Sequence, residues 1–309
     1  MSSITLNPSE PSSFKCFVRM STTKNAPTTV TSPPPSFARK TVLITGASSG
    51  IGLSFARLLA TLQVSHLILA VRSMQRGSEV AAELKKTFHN TKVDVYPLDM
   101  SSYDSVQDLV RRCDRLPQLD IVILNAGLAN IDYKTSPSTG HEEVFQVNYL
   151  STALLSILLL PVLRRKCKDN RNSPGRLTIV GSALGLDAKF PNRNAVPLLP
   201  SFSKPSTWTG LSSSSEQYGV TKLLLFVLVL RLAEMVRPEE VIVNLVEPGF
   251  TGSTGLGRGA SGVLKSVVAI VHKLVARSPE QAAWTYVDAI AMRGAETHGS
   301  FVCNWEIYP

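Results

Sequence analysis

From residue 41 onward, short apolar runs alternate with helix-length segments. The runs are Thr41–Thr45, His66–Val71, Lys92–Leu98, Ile121–Asn125, Arg176–Gly181 and Val241–Val246, and several carry Val, Ile and Leu on both parities. Strands buried on both faces read this way, and their alternation with helices implies parallel βαβ units. The pattern predicts an α/β fold, a Rossmann-type doubly wound parallel sheet, in a single domain over residues 39–309. Two stretches, Leu150–Leu163 and Lys222–Val236, are apolar on most sides. Pro161 and basic residues end the first, and Arg231 and Glu234 interrupt the second, so neither reaches the roughly 18 apolar residues of a spanning helix. They are expected to be core or subunit-contact helices of a homodimer or homotetramer with no transmembrane segment.

Residues 1–38 lack any sustained period, and Pro33-Pro34-Pro35 with abundant Ser and Thr predicts a disordered, dispensable tail in which Met20 is a candidate second start. The stretch 187–215, rich in Pro and Ser, reads as an enlarged loop. Its Phe190, Phe202 and Trp208 either cover an apolar substrate or pin the loop down.

Composition narrows the classes further. Hydrophobic residues at 44% and charged residues at 18% suit a packed core. The net charge of +9 invites a polyanion partner, but Lys15, Arg19, Lys24, Arg39 and Lys40 stand against only Glu10 in the first 40 residues. The run Arg164, Arg165, Lys166 and Lys168 reads as a solvated helix end, so no nucleic-acid partner is expected. Cys16, Cys113, Cys167 and Cys303 show neither disulfide nor zinc spacing; no metal is expected, and the location expected is cytoplasmic.

The first run leads directly into Thr45-Gly46-Ala47-Ser48-Ser49-Gly50-Ile51-Gly52 and then a helical segment. Glycines at a strand-to-helix turn let backbone N–H groups approach a pyrophosphate, which makes Gly46, Ser48, Ser49, Gly50, Ile51 and Gly52 candidate cofactor contacts. This TGxxxGxG form resembles the short-chain dehydrogenase/reductase family. At the end of the second strand, Val71 stands where an NAD-selecting acid is expected and Arg72 follows it. A guanidinium pairs with a 2′-phosphate, so NADP(H) is the cofactor predicted. Tyr218 and Lys222 are four residues apart and share a helix face. A neighbouring ammonium lowers a phenol's pKa towards useful proton exchange with a carbonyl or alcohol, so this pair is the candidate acid/base and its electrostatic partner.

Further likenesses extend over residues 40–309. Leu98-Asp99-Met100 resembles the family's adenine site. Asn125-Ala126-Gly127 resembles its NAG motif, in which the Asn steadies the central sheet. Ser182 stands where the family places the hydroxyl that orients the substrate. Gly140–Ser151 is similar to the segment of retinol-dehydrogenase-like members in which Asn148 would hold a relay water. His141 and Glu142 are read there as helix-start residues. Pro248-Gly249 with Thr251 and Ser253 resembles the nicotinamide-side PG motif, with the division of contacts between Thr251 and Ser253 left open. The resemblance to retinol-dehydrogenase-like and fungal secondary-metabolite members implies hydride transfer between NADPH and a carbonyl or alcohol of an apolar small molecule. The alternative is a non-catalytic dinucleotide-binding redox sensor or regulator.

Overall fold

The computed structural model describes residues 18–19, 23, 25–130, 132–168, 173–205, 211–251 and 276–308. Eight strands form one sheet: β1 Thr41–Thr45, β2 His66–Val71, β3 Lys92–Pro97, β4 Ile121–Leu124, β5 Gly175–Val180, β6 Val241–Val246, β7 Ser300–Cys303 and β8 Glu306–Tyr308. Their spatial order is β3-β2-β1-β4-β5-β6-β7-β8. The first seven pair in parallel, and β8 returns antiparallel to β7, a hairpin the apolar pattern does not announce. The order reverses between β1 and β4, where crossovers leave in opposite directions and open a crevice at the carboxyl ends of the strands.

The longer helices are α1 Gly50–Thr61, α2 Met74–Thr87, α3 Tyr103–Asp114, α4 Ser151–Lys168, α5 Leu211–Met235 and α6 Pro279–Val287. They cover both faces. One core layer joins Leu43, Val122, Leu177 and Val243 to α3, α4 and α5, and the other joins Val42, Ile44, Leu67 and Leu69 to α1, α2 and α6. Consecutive strand positions thus feed opposite cores, which explains apolar residues at both parities. Local start signals agree with the packing. Ser73 and Ser102 accept hydrogen bonds from Arg76 and Ser105 N–H, and Ser278 and Gln281 form a capping box around Pro279.

Three expectations are corrected. Pro161 does not end α4, which continues to Lys168. Pro161 is exposed and follows exposed Ile157 by one turn, so the carbonyl left without a partner is on the side solvent can meet. With the turns before it, the helical stretch Glu143–Cys167 is long and apolar enough to cross a membrane by length and composition, but Leu155, Leu159, Leu160, Val162 and Leu163 are spent on the core. Second, the described part of the segment expected to be a disordered tail is packed. Residues Thr28–Thr31 form a helical turn, Val30 and Phe37 are buried against the α1–α6 layer, and Arg277 and Trp305 both donate to the Thr23 carbonyl. Two apolar anchors and a few backbone bonds suffice where no periodic pattern exists. Third, the enlarged loop expected over 187–215 is shorter, because α5 begins at Leu211, and of its two readings the described part favours pinning. Phe202 stacks on Phe145 with ring centroids 3.9 Å apart, Tyr133 Oη donates to Ser203 O, and the N–H groups of Lys189 and Phe190 donate to the Glu216 carboxylate. Trp208 lies outside the described residues.

Candidate active site

The glycine turn sits at the carboxyl end of β1, beside the crevice. Gly46 has φ +68°, a conformation that side chains disfavour. A Cβ on Gly52 would lie 2.5 Å from the Gly46 carbonyl oxygen and 2.7 Å from Asn125 Nδ2, so helix and turn approach as closely as backbone allows. Ser49 occupies the N-cap of α1 without a side-chain capping bond, and its hydroxyl is not committed to the helix. Ser48, Gly50 and Ile51 are half-buried around it. This is a cradle of backbone donors at a helix N-terminus.

Asn125 bridges the switch point. Its Nδ2 donates to Thr45 O at 2.9 Å, and its Oδ1 accepts from Tyr286 Oη at 2.9 Å. Ala126 N–H donates to Thr45 Oγ1. Arg72 is exposed at the end of β2 and takes part in none of the ion pairs found among the described residues. Asp99 is half-buried beyond β3 and accepts from Ser101 N–H. Met100 points elsewhere: its side chain is in the core and its carbonyl accepts from Ser151 Oγ.

The second half of the site is built by α5 and the ends of β5 and β6. Tyr218 and Lys222 lie one turn apart on α5, with Lys222 Nζ 5.5 Å from the Tyr218 ring centre and donating to Val180 O at 2.9 Å. Ser182 follows β5 and lies close enough to the Tyr218 hydroxyl to favour its ionised form. The position a Gly127 Cβ would take is 3.2 Å from Asn148 Oδ1 and 3.9 Å from Lys222 Nζ, so the Asn125–Gly127 turn reaches the same point. Asn148 occupies a π-helical turn, Gln146–Leu150, a local widening often found at functional sites. Its amide makes a two-way clamp on the Leu128 backbone, with both bonds at 2.9 Å. Glu142 caps the preceding turn by accepting from Val144 and Phe145 N–H, and His141 Nδ1 meets Ser203 Oγ, the structural parts expected of them.

Electrostatics correct one expectation. Burial pushes the Tyr218 phenol above its ordinary range, Glu247 pushes it further, and Ser182 only partly opposes them. The net shift is upward despite the neighbouring ammonium, because burial outweighs proximity, and Lys222 is itself stripped of solvent. Burial lowers Lys222 to about 8, against an upward pull from Glu247. Glu247, between β6 and the Pro248-Gly249 turn, is raised by burial to about 7, with Ala183 N–H, Arg277, Lys222 and Gly249 N–H acting downward. Beyond that turn, Thr251 Oγ1 donates to Gly249 O. Arg277 donates to Pro248 O, Thr23 O and Asn304 Oδ1 and lies over the Trp305 ring at 5.1 Å. Ser253 lies outside the described residues.

Glu247, Arg277 and Tyr286 are absent from the sequence-based site. A signal existed for the first, since an acid directly follows the wholly apolar end of β6 and precedes Pro-Gly. Arg277 and Tyr286 join the site only through packing and carry no motif.

Comparison with known proteins agrees with this geometry. The short chain dehydrogenase family model matches residues 40–194. The chain is 45% identical over 280 residues to the short chain dehydrogenase/reductase mfmJ of Annulohypoxylon moriforme, covering 90% of this chain and 80% of that protein. It is 40% identical over 272 residues to the short chain dehydrogenase virL of Hypocrea virens, covering 88% and 78%. The crystal structure of L-sorbose reductase from Gluconobacter frateurii, complexed with NADPH and L-sorbose, superposes with a TM-score of 0.62 at 23% identity, covering 87% and 97%, and shares the fold. This protein belongs to the short-chain dehydrogenase/reductase family. It is an oxidoreductase of the class that acts on CH–OH and C=O groups.

Proposed function

We propose that the protein uses NADP(H) to interconvert a carbonyl and an alcohol on an apolar small molecule, with Tyr218 as acid/base, Ser182 orienting the substrate oxygen and Lys222 as electrostatic partner. The observation that carries this is the meeting of Ser182, Tyr218, Lys222, Asn148 and Gly127 at the switch point, within reach of the glycine cradle. The residues fit a dinucleotide. The space a Cβ would fill at Gly52 is already backbone, and Oε2 of buried Glu247 is left without a hydrogen-bond partner. In this assignment Gly46, Ser48, Ser49, Gly50, Ile51 and Gly52 hold the pyrophosphate, Arg72 the 2′-phosphate and Asp99 the adenine. Asn125, Ala126 and Gly127 line the middle, and Pro248, Gly249, Thr251 and Ser253 take the nicotinamide side. The cofactor supplies the hydride.

The protein's own part is proton transfer and orientation. Ser182 and Tyr218 hydroxyls converge on one substrate oxygen, and Tyr218 gives that oxygen its proton in reduction and removes it in oxidation. The raised phenol is suited to giving the proton. A charged Lys222 opposes that rise and makes the reverse step accessible. Asn148, anchored on Leu128, would hold the water that returns the proton to solvent. Exposed Leu184 and Phe250, which flank Ser182 and Gly249, favour an apolar substrate, as does the likeness to fungal dehydrogenases. Exposed Ile157 on α4, with Val227 and Leu230 on α5, supports the homo-oligomer expected above, and the thiols of Cys113 and Cys167 agree with a cytoplasmic location.

The test is NADPH oxidation at 340 nm across a panel of aromatic ketones and quinones. Wild type is expected to turn over at least one of them. Tyr218→Phe is expected to lose about 10²–10⁴-fold in rate, the usual worth of a general acid, with NADPH affinity held within a few-fold. Retained turnover in the variant sinks the role of Tyr218. NADPH binding without turnover of any carbonyl would favour the redox-sensor alternative.

A further inference from the structure

Lys222 is only 6% exposed, and its hydrogen-bond partner is the Val180 carbonyl, which carries no net charge. An ammonium at such depth loses its proton unless an opposite charge holds it. Among the described residues, the carboxylate that acts on it is that of Glu247.

Glu247 is 8% exposed. It directly follows Val246, which pairs in register with Val180, the residue whose carbonyl Lys222 holds, and the backbone N–H groups of Ala183, next to Ser182, and of Gly249 in the Pro-Gly turn favour its charged form. Oε2 has no hydrogen-bond partner. A neutral amide oxygen at this position would serve the two backbone donors equally well, so their presence does not explain a buried negative charge. The charged and titratable groups that act on or feel Glu247 are Lys222 and Tyr218 from α5, Tyr286 from α6 and Arg277 just before α6. Arg277 spends its NH1 and NH2 groups on Pro248, Thr23 and Asn304 and forms none of the close ion pairs among the described residues. Glu247 thus faces two cations, but a guanidinium keeps its proton without help, so Lys222 is the one whose charge depends on this carboxylate.

We propose that Glu247 is a positioning residue of the active site: it is the counter-ion that keeps Lys222 charged, and it ties the Ser182 loop to the Pro248–Gly249 turn. The inference rests on the role given to Lys222 under Proposed function. The carboxylate by itself disfavours the Tyr218 phenolate, so its benefit reaches Tyr218 only through the ammonium it sustains.

The test needs neither cofactor nor substrate. Trace labelling of the apoprotein with acetic anhydride over a pH range, read by peptide mass spectrometry, reports the neutral fraction of each lysine. Lys222 in the wild type is expected to titrate near pH 8. In Glu247→Gln the midpoint is expected to fall by about one unit, so that Lys222 reacts about fivefold faster at pH 7, while Lys85 and Lys86 keep their rates. Glu247→Asp, with the charge withdrawn by one methylene, is expected to give an intermediate midpoint and serves if the Gln variant does not fold. A wild-type midpoint in whichever variant folds overturns the proposal. Failure of the wild type to turn over any carbonyl would count against the enzymatic role and leave the labelling result standing.

Discussion

The two ends of the active-site crevice are built on opposite plans. The Gly46–Gly52 end works through backbone: its donors are peptide N–H groups, its tolerance is set by missing Cβ atoms, and the arginine beside it is exposed. The Tyr218–Lys222 end works through side chains, with Lys222 and Glu247 buried and Tyr218 half-buried, and desolvation displaces all three from their ordinary protonation ranges. The first end is a matter of shape and the second of charge, so the two should fail in different ways.

The largest separation is expected from Gly52→Val. A Cβ 2.5 Å from the Gly46 carbonyl forces the turn open. Overpacking of this kind costs about 1–3 kcal/mol, which corresponds to a loss of up to about 100-fold in NADPH affinity. Calorimetry measures that loss, while labelling of Lys222 should stay at its wild-type midpoint; a shift there would show that the ends are not independent. Next, Arg72→Ala is expected to weaken NADPH binding by about tenfold or more and leave NADH binding unchanged, since a charge-assisted bond contributes about 1.5–3 kcal/mol. Equal losses for both nucleotides would remove Arg72 from the 2′-phosphate. The smallest effect concerns pH. Lys222 is depressed to about 8, so its charge is present below that pH and is lost as pH rises through it. Alcohol oxidation, which needs the phenolate the ammonium favours, should lose about half of the Lys222 contribution near pH 8. A rate that follows hydroxide concentration smoothly through pH 7–9 would remove Lys222 from the proton chemistry.

The same contrast explains what could be read in advance. β1, β2 and β6 match their apolar runs to the residue, because a strand buried on both faces advertises itself in composition. The glycine turn is legible for a similar reason, since close approach of backbone demands a residue type at a spacing. Tyr218 and Lys222 are legible because one helical turn relates them. Glu247, Arg277 and Tyr286 come from β6, a connection and α6, and only the folded chain brings them together. The direction of the Tyr218 shift was misjudged because burial, not proximity in sequence, decides whether an ammonium or desolvation prevails. Phe37 and Val30 escaped notice because two isolated anchors have no period.

Those anchors bear on how the chain is made. Thr23 is held by Arg277, 254 residues later, and by Trp305 beyond it. On the ribosome the leading segment therefore emerges long before its docking surface exists, and it must wait, with Val30 and Phe37 uncovered, while the central sheet assembles behind it. Arg277 grips Thr23 and the Pro248 carbonyl with one guanidinium, so the Pro248–Gly249 turn and the segment around Thr23 are locked by the same late event. Nascent protein is thus expected to complete its catalytic pocket only after Arg277 and Trp305 have emerged.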